Sequence, residues 1–267
     1  MSSAATPIPR ATTAEILARL EAELGALPGS PGGLLASDAD GTIWDGDVGI
    51  ELFEALLAAG GVRAAAREAL AAEARGIGLA AEGDGNALAA ALYEAYKADR
   101  YAHDRAFAMM AWVFAGYRQD ELAAFCAGVL RQGDLGARIR PEMRAIFAWA
   151  ASHGVPVYVV SASPRAIVEV AVTHLGIAAD HVAAMTPALT PEGVLLPELA
   201  GPIVYGEGKL VALERAVGSS LPLLGAFGDS AYDAAMMRVA RVPVAVTPAP
   251  GLVAVASSIP GLVMLAR

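Results

Sequence analysis

Short apolar runs set between amphipathic stretches dominate the pattern of this chain. Leu34-Leu35-Ala36, Val155 to Val160 and Leu223 to Phe227 are continuous apolar runs of strand length, each met at once by polar residues. Helical periodicity fills the intervals. Thr12-Thr13-Ala14-Glu15 is a capping box, and Ile16, Leu17, Leu20, Leu24 and Leu27 behind it form one apolar stripe that stops at the breaker Pro28 to Gly33. From about Val48 to Ala137 no alternating pattern occurs. Helical spacing there is interrupted at Gly60-Gly61, Gly76, Glu82 to Gly85, Gly116 and Gly133, which predicts helices beginning near Ile50, Arg63, Asn86, Arg105 and Asp120. A further helix opens at Arg140-Pro141-Glu142 and runs to His153, where Gly154 ends it.

Strands alternating with helices imply an α/β fold: a Rossmann-like, doubly wound, mainly parallel sheet, here carrying an inserted all-helical cap. The predicted division is a catalytic core of residues 1–47 and 138–267, with 1–33 as an N-terminal helical extension, and a helical cap of residues 48–137. The uncharged stretch Val242 to Ala266 is long enough to raise the question of a membrane span. Pro243, Pro248, Pro250 and Pro260 divide it into short pieces, so a buried closing strand plus loop is expected.

Chemistry gathers where the apolar runs end. Asp38-Ala39-Asp40-Gly41-Thr42 places two carboxylates behind the first run, two residues apart on an extended backbone and so on one side of it. One can attack while the other handles a proton. Gly41 permits a sharp exit and Thr42 offers a hydroxyl to fix the loop, and both are candidate substrate-binding positions. The second run delivers Ser161, followed by Ala162 and by Ser163-Pro164, which reads as an N-cap with proline at the first helical position, a helix start suited to an anion. Lys209, after Gly206-Glu207-Gly208 at the start of a helix, is a point charge for phosphate. The third run ends in Gly228-Asp229-Ser230, with Asp233 one turn beyond Asp229, so that these carboxylates can share a site.

With these four segments in this order, the sequence resembles the haloacid dehalogenase superfamily of phosphohydrolases. Asp38, Asp40, Ser161, Lys209, Asp229 and Asp233 occupy the positions of its four motifs. True dehalogenases of the superfamily lack the second aspartate of the first motif, so Asp40 implies phosphoryl transfer. The long insertion and the stretch Thr190-Pro191-Glu192-Gly193 through Gly201 to Lys209 look like the phosphoserine-phosphatase branch. Two departures stand out: that branch usually has Ser at Gly41, and Gly-Gly at Ala162-Ser163.

The resemblance implies Mg2+ on Asp38, Asp229 and the backbone carbonyl of Asp40, an aspartyl-phosphate on Asp38, and Asp40 as acid and base. Ser161, Ser163 and the amides of that turn would hold phosphoryl oxygens, with Lys209 facing the developing charge. Asp233 either orients Lys209 or a metal-bound water, or is a first-turn aspartate favoured by the helix dipole. Asp47 lies where the branch places a glutamate that contacts substrate, with Asp45 beside it; a solvated acidic loop is the alternative. Arg75, Arg100 or Arg105 can pair with a substrate carboxylate.

Charge and composition exclude other classes. A formal net charge of −9 among 267 residues argues against nucleic acid, and leaves substrate attraction to a bound cation and Lys209. Cys126, the one cysteine, excludes an internal disulfide and reads as a small core hydrophobe. Met1 to Arg10 has no secretion-signal pattern, so a cytoplasmic enzyme without membrane attachment is expected. His103, His153, His174 and His181 lack metal-ligand spacing and read as ordinary surface or helix-end residues. Gly206 to Leu210 is no P-loop, because Ile203 and Leu210 stand where Gly and Ser or Thr are required. A phosphomonoesterase for a small organic phosphate, phosphoserine-like or otherwise aminated, is the expected function. A phosphotransferase or mutase using the same intermediate is the alternative, followed by a phospho-accepting signalling domain.

Overall fold

The computed structural model of the chain describes residues 7–27, 32–218 and 222–266. In chain order the elements are β1 (Arg10–Ala11), α1 (Thr13–Gly25), β2 (Leu34–Ser37), α2 (Val48–Ala58), α3 (Ala64–Gly76), α4 (Gly85–Lys97), α5 (His103–Trp112), α6 (Gln119–Gln132) and α7 (Leu135–Arg138). There follow α8 (Pro141–Ser152), β3 (Val157–Pro164), α9 (Arg165–Val172), β4 (Val182–Met185), β5 (Pro187–Leu189), β6 (Leu195–Leu199), α10 (Glu207–Val217), β7 (Leu223–Gly228), α11 (Ala234–Val239), β8 (Val242–Ala245), α12 (Pro250–Val255) and β9 (Val263–Leu265).

Seven strands form one sheet in the order β1-β9-β8-β7-β2-β3-β4, and every pairing in it is parallel. Burial explains the composition of the strands: Leu34 to Ser37 is buried at all four positions, as a central strand covered by helices on both faces requires. From β2 the chain crosses to β3 and β4 on one side, then returns to β7 on the other. The reversal creates a crevice beyond the carboxyl ends of β2, β3 and β7, the usual ligand position in such sheets.

The capping box forms as expected: Thr12 Oγ1 accepts from the Glu15 amide, and Glu15 accepts from the Thr12 amide at 2.7 Å. Helix α1 packs against α8, β7 and β8, so its stripe faces the core. Between β2 and β3 the described structure is helical, with α5 lying on β3 and α6 on α9. Among the described residues no helix is long and apolar enough to cross a membrane.

Three features differ from the sequence expectations. The predicted N-terminal helical extension also contributes a strand, since Arg10–Ala11 joins the sheet edge beside β9. The segment from Val242 forms two strands, β8 and β9, with α12 between them, where one closing strand was expected. Thr190 to Gly193 makes the turn of a separate antiparallel hairpin, β5–β6, which packs on α5. The breaker at Pro28 to Gly33 falls largely on residues 28–31, outside the described residues.

Candidate functional site

At the end of β2, the Asp38 amide still bonds to the Phe227 carbonyl of β7, so the ladder fixes the carboxylate that follows. The chain then turns through Gly41, whose φ is +74°, a conformation costly to side-chain-bearing residues. A Cβ at Gly41 would lie 2.5 Å from Asp229 Oδ2. The glycine that departs from the related branch therefore gives room to a carboxylate. Thr42 is fully buried and donates to Asp38 Oδ2 at 3.3 Å. Gly41 and Thr42 shape this loop, and neither is among the residues that border the cavity described below.

Lys209 is the electrostatic centre. Its Nζ donates to Asp38 Oδ1 at 2.6 Å and to Asp233 Oδ1 at 2.5 Å, and it is only 3% exposed. Burial alone would lower the lysine pKa; the charges of Asp233 and Asp38 override it and raise the value, so the ammonium stays charged. Lys209 is brought close by Gly208, where a Cβ would collide with the Ile203 carbonyl oxygen. The second oxygen of Asp233 accepts from the Asp229 and Ser230 amides, at 3.2 and 2.9 Å, and from Ser230 Oγ at 2.9 Å. Two of the readings of Asp233 meet in the geometry: one oxygen orients Lys209, and the other, in the first turn of the short helix Ala231–Asp233, caps its start through the Ser230 amide. Gly228 lies against Asp233 and does not border the cavity, whereas Ser230 does.

Asp40 faces a different set of donors. Oδ1 accepts from Trp44 Nε1 at 2.8 Å and from the Val48 amide at 2.7 Å; Oδ2 accepts from Ser163 Oγ at 2.7 Å. Burial raises its pKa, against the lowering effect of these hydrogen bonds. Asp38 is also raised, by burial, with Lys209 opposing. Two neighbouring carboxylates thus differ in partner: one held by a fixed cation, the other by neutral donors.

Ser163 corrects an expectation. Strand β3 continues to Pro164, α9 begins at Arg165 without a side-chain cap, and the Ser163 amide donates to Ser161 Oγ at 3.0 Å. The hydroxyl expected to cap a helix is turned to Asp40. Ser161, Ala162 and Ser163 nevertheless border the cavity.

The oxygens of Asp38, Asp229 and Asp233 approach within 4.8 Å of one another. Burial and the charge of Asp233 push Asp229 up to about 6, the mark of a carboxylate crowded by negative charge. Oxygen donors in this density fit a hard divalent cation. Asp233 spends one oxygen on Lys209 and the other on three donors, whereas Asp38 Oδ2 has a single 3.3 Å contact from Thr42, so Asp38 and Asp229 are the side chains with more room to hold one. The Asp40 side chain is turned to Trp44, Val48 and Ser163, which leaves its backbone carbonyl as its possible ligand atom.

A cavity of about 200 Å³ opens over these groups. Its outer wall was not foreseen: Tyr96 and Phe107 from the helical insertion, Tyr205 from the loop before α10, Tyr232 after β7, and His103, which had read as an ordinary helix-end residue. Asp47 borders the cavity too, as the N-cap of α2, its Oδ1 accepting from the Ile50 amide at 2.8 Å. Burial, with the charge of Asp40, pushes it up to about 7. Neither open reading of Asp47 had included capping. Asp45 instead turns to Arg140, with Nη2 at 2.5 Å. The arginines considered for a substrate carboxylate do not border the cavity: Arg75 pairs with Glu68, Arg105 with Glu73, and Arg100 lies outside the lining.

Comparison with known proteins agrees with this architecture. A search of curated proteins returns no match. A protein of unknown function from Bordetella pertussis Tohama I superposes with a TM-score of 0.67 at 21% identity, over 87% of this chain and 97% of that one. A substrate-bound phosphoserine phosphatase complex gives a TM-score of 0.51 at 14% identity, over 88% and 93% of the two chains. The probable phosphoserine phosphatase from Vibrio cholerae gives 0.53 at 18% identity, over 88% of this chain and 61% of that one. These likenesses establish the fold. The family model described as haloacid dehalogenase-like hydrolase matches residues 35–238, spanning β2 to α11 and with them Asp38, Ser161, Lys209 and Asp229, and the chain belongs to that family.

Proposed function

We propose that the protein is a magnesium-dependent phosphomonoesterase acting on a small organic phosphate through an aspartyl-phosphate on Asp38. The observation that carries this reading is the pair of contacts from Lys209 to Asp38 and Asp233, with Asp40 held separately beside them. Asp38 and Asp229, with the Asp40 carbonyl that the family resemblance adds, would hold magnesium, which neutralises the charge of the phosphoryl oxygens.

Asp38 attacks phosphorus as the bond to the alcohol oxygen breaks. Lys209 holds one Asp38 oxygen and so aims the carboxylate, while its charge faces the phosphoryl group. Asp40, raised by burial, gives its proton to the departing oxygen and later takes one from the water that hydrolyses the acyl phosphate. Trp44 and Ser163 fix the direction in which that proton moves. Ser161, Ala162 and Ser163 border the space for the transferred group, and residues 48–137 serve as the cap that excludes bulk water.

The test is hydrolysis of p-nitrophenyl phosphate with magnesium and with chelator, followed by beryllium fluoride as a mimic of the phosphorylated aspartate. Reversible inhibition that weakens in Lys209→Ala and Ser161→Ala is expected. Full activity in chelator would sink the proposal.

A further inference from the structure

Beyond the reacting carboxylates, the cavity wall has an unusual chemical balance. Tyr96 and Phe107 have ring centroids 5.7 Å apart, Phe107 and Tyr205 also 5.7 Å, and Tyr205 and Tyr232 4.0 Å. The rings thus pack on one another in a row from the cap to the core, and all four residues border the cavity. Asp47 stands in the same cavity, its hydrogen bonds coming from the Ile50 and Gly49 amides. Among the described residues Lys209 is the one Lys or Arg in the lining, and Asp38 and Asp233 already hold it.

From this wall we infer that the protein selects a phosphomonoester whose alcohol carries an ammonium group and no carboxylate, with methylated ammonium fitting best. The inference rests on the phosphomonoesterase reading above. Ring faces attract cations, and a methylated ammonium, which is poorly hydrated, loses least on leaving water for such a surface. Asp47 adds an opposite charge. A substrate carboxylate, by contrast, would meet Asp47 with no arginine among the described lining residues to pair it, and like charges so placed oppose binding. Sugar phosphates also stack on rings, but they carry no positive charge for Asp47 to pair.

Two measurements test this with the full chain and magnesium. The first compares kcat/KM for choline phosphate, ethanolamine phosphate, phosphoserine and glycerol phosphate, with p-nitrophenyl phosphate as reference. The amines without carboxylate should exceed glycerol phosphate by about tenfold or more, and phosphoserine should fall below both of them. Asp47→Asn retains an N-cap acceptor for the Ile50 amide, so the helix start survives. It should lower the ratio of choline phosphate to glycerol phosphate by about tenfold, and Phe107→Leu should lower it independently. The second measurement follows tetramethylammonium by saturation-transfer NMR, which needs no turnover. Saturable binding that is lost in Asp47→Asn is expected.

Hydrolysis of p-nitrophenyl phosphate without an amine advantage, or with phosphoserine or sugar phosphates preferred, overturns the inference and leaves the phosphatase reading intact. Tetramethylammonium binding without hydrolysis of any ester upholds the cation-selective wall and removes the phosphatase reading. Absence of both removes both.

Discussion

Ser163 and Asp40, 123 residues apart in sequence, meet through a 2.7 Å hydrogen bond from the serine hydroxyl to the carboxylate. The contact joins the end of β3 to the loop after β2, and with Trp44 and Val48 it completes three donors around one carboxylate. Each donor favours the ionised form and opposes the upward push of burial.

Ser163→Ala should therefore raise the Asp40 pKa further. If Asp40 must be ionised to accept a proton from water, the acidic limb of the pH–kcat profile will move to higher pH. A hydrogen bond to a charged group is worth about 1.5–3 kcal/mol, so a loss of about tenfold to a hundredfold at mildly acidic pH is expected. An unmoved limb would show that Asp40 does not govern that step.

Asp38→Asn removes the nucleophile but keeps a side chain of the same shape, and Lys209 keeps Asp233 as a partner. Turnover should fall by about 10⁴-fold or more, as loss of a nucleophile does in other covalent enzymes. Circular dichroism and the unfolding midpoint serve as folding controls. Near-normal kcat in a folded variant would contradict the role of Asp38.

The extent to which sequence reveals this molecule depends on how local each signal is. Strands β2 and β7, the Thr12 capping box and the helical insertion carry their own periodicity or caps, and each forms where expected, while β3 forms but runs past its predicted end. Strand β1 has two residues and no pattern of its own; it exists because Met264 and Leu265 lie alongside it. Ser163-Pro164 satisfies the rule for a helix start, yet tertiary pairing with β4 carries the strand through Pro164. Asp38, Asp40, Ser161, Lys209 and Asp229 could be proposed from sequence because each stands at the end of a strand or the start of a helix whose boundary can be predicted, and the fold brings them around one cavity. The aromatic wall was not, because Tyr96, Phe107, Tyr205 and Tyr232 come from distant segments and each alone resembles ordinary packing. Trp44 was missed for the same reason, its role lying in one indole N–H.

Asp40→Asn keeps acceptors for Trp44 and Val48 but cannot donate the proton a poor leaving group needs. Alkyl phosphates should lose about 10²–10⁴-fold in kcat, the usual worth of general acid catalysis. Aryl esters such as p-nitrophenyl phosphate should lose far less in the first chemical step. Burst kinetics separate that step from hydrolysis of the intermediate. Equal losses in the first step for both ester classes would assign Asp40 to loop positioning alone.

Cys126 is fully buried on α6, and burial pushes its thiol up to about 12. The thiolate that reacts with disulfide reagents is then scarce at neutral pH. In the native protein Ellman's reagent should find no rapidly reacting thiol, and in denaturant one. Fast native labelling would place Cys126 outside the core.

Asp229, pushed up to about 6, and Asp47, pushed up to about 7, both bind protons more tightly folded than unfolded. Stability of the metal-free protein from these groups is therefore greatest below their ordinary range near 4 and is lost as pH rises through about 6 to 7. A divalent cation reverses this for Asp229, because it binds the deprotonated carboxylate and only the folded chain assembles the cluster. Magnesium should accordingly raise the unfolding midpoint more at pH 8 than at pH 5, and Asp229→Asn should shrink that difference while raising the metal-free midpoint at pH 8. Scanning calorimetry of both proteins at the two pH values, with magnesium and with chelator, reads each sign directly. A magnesium effect independent of pH would place the cation away from the carboxylate cluster, since only a proton competing for the same oxygens links the two equilibria.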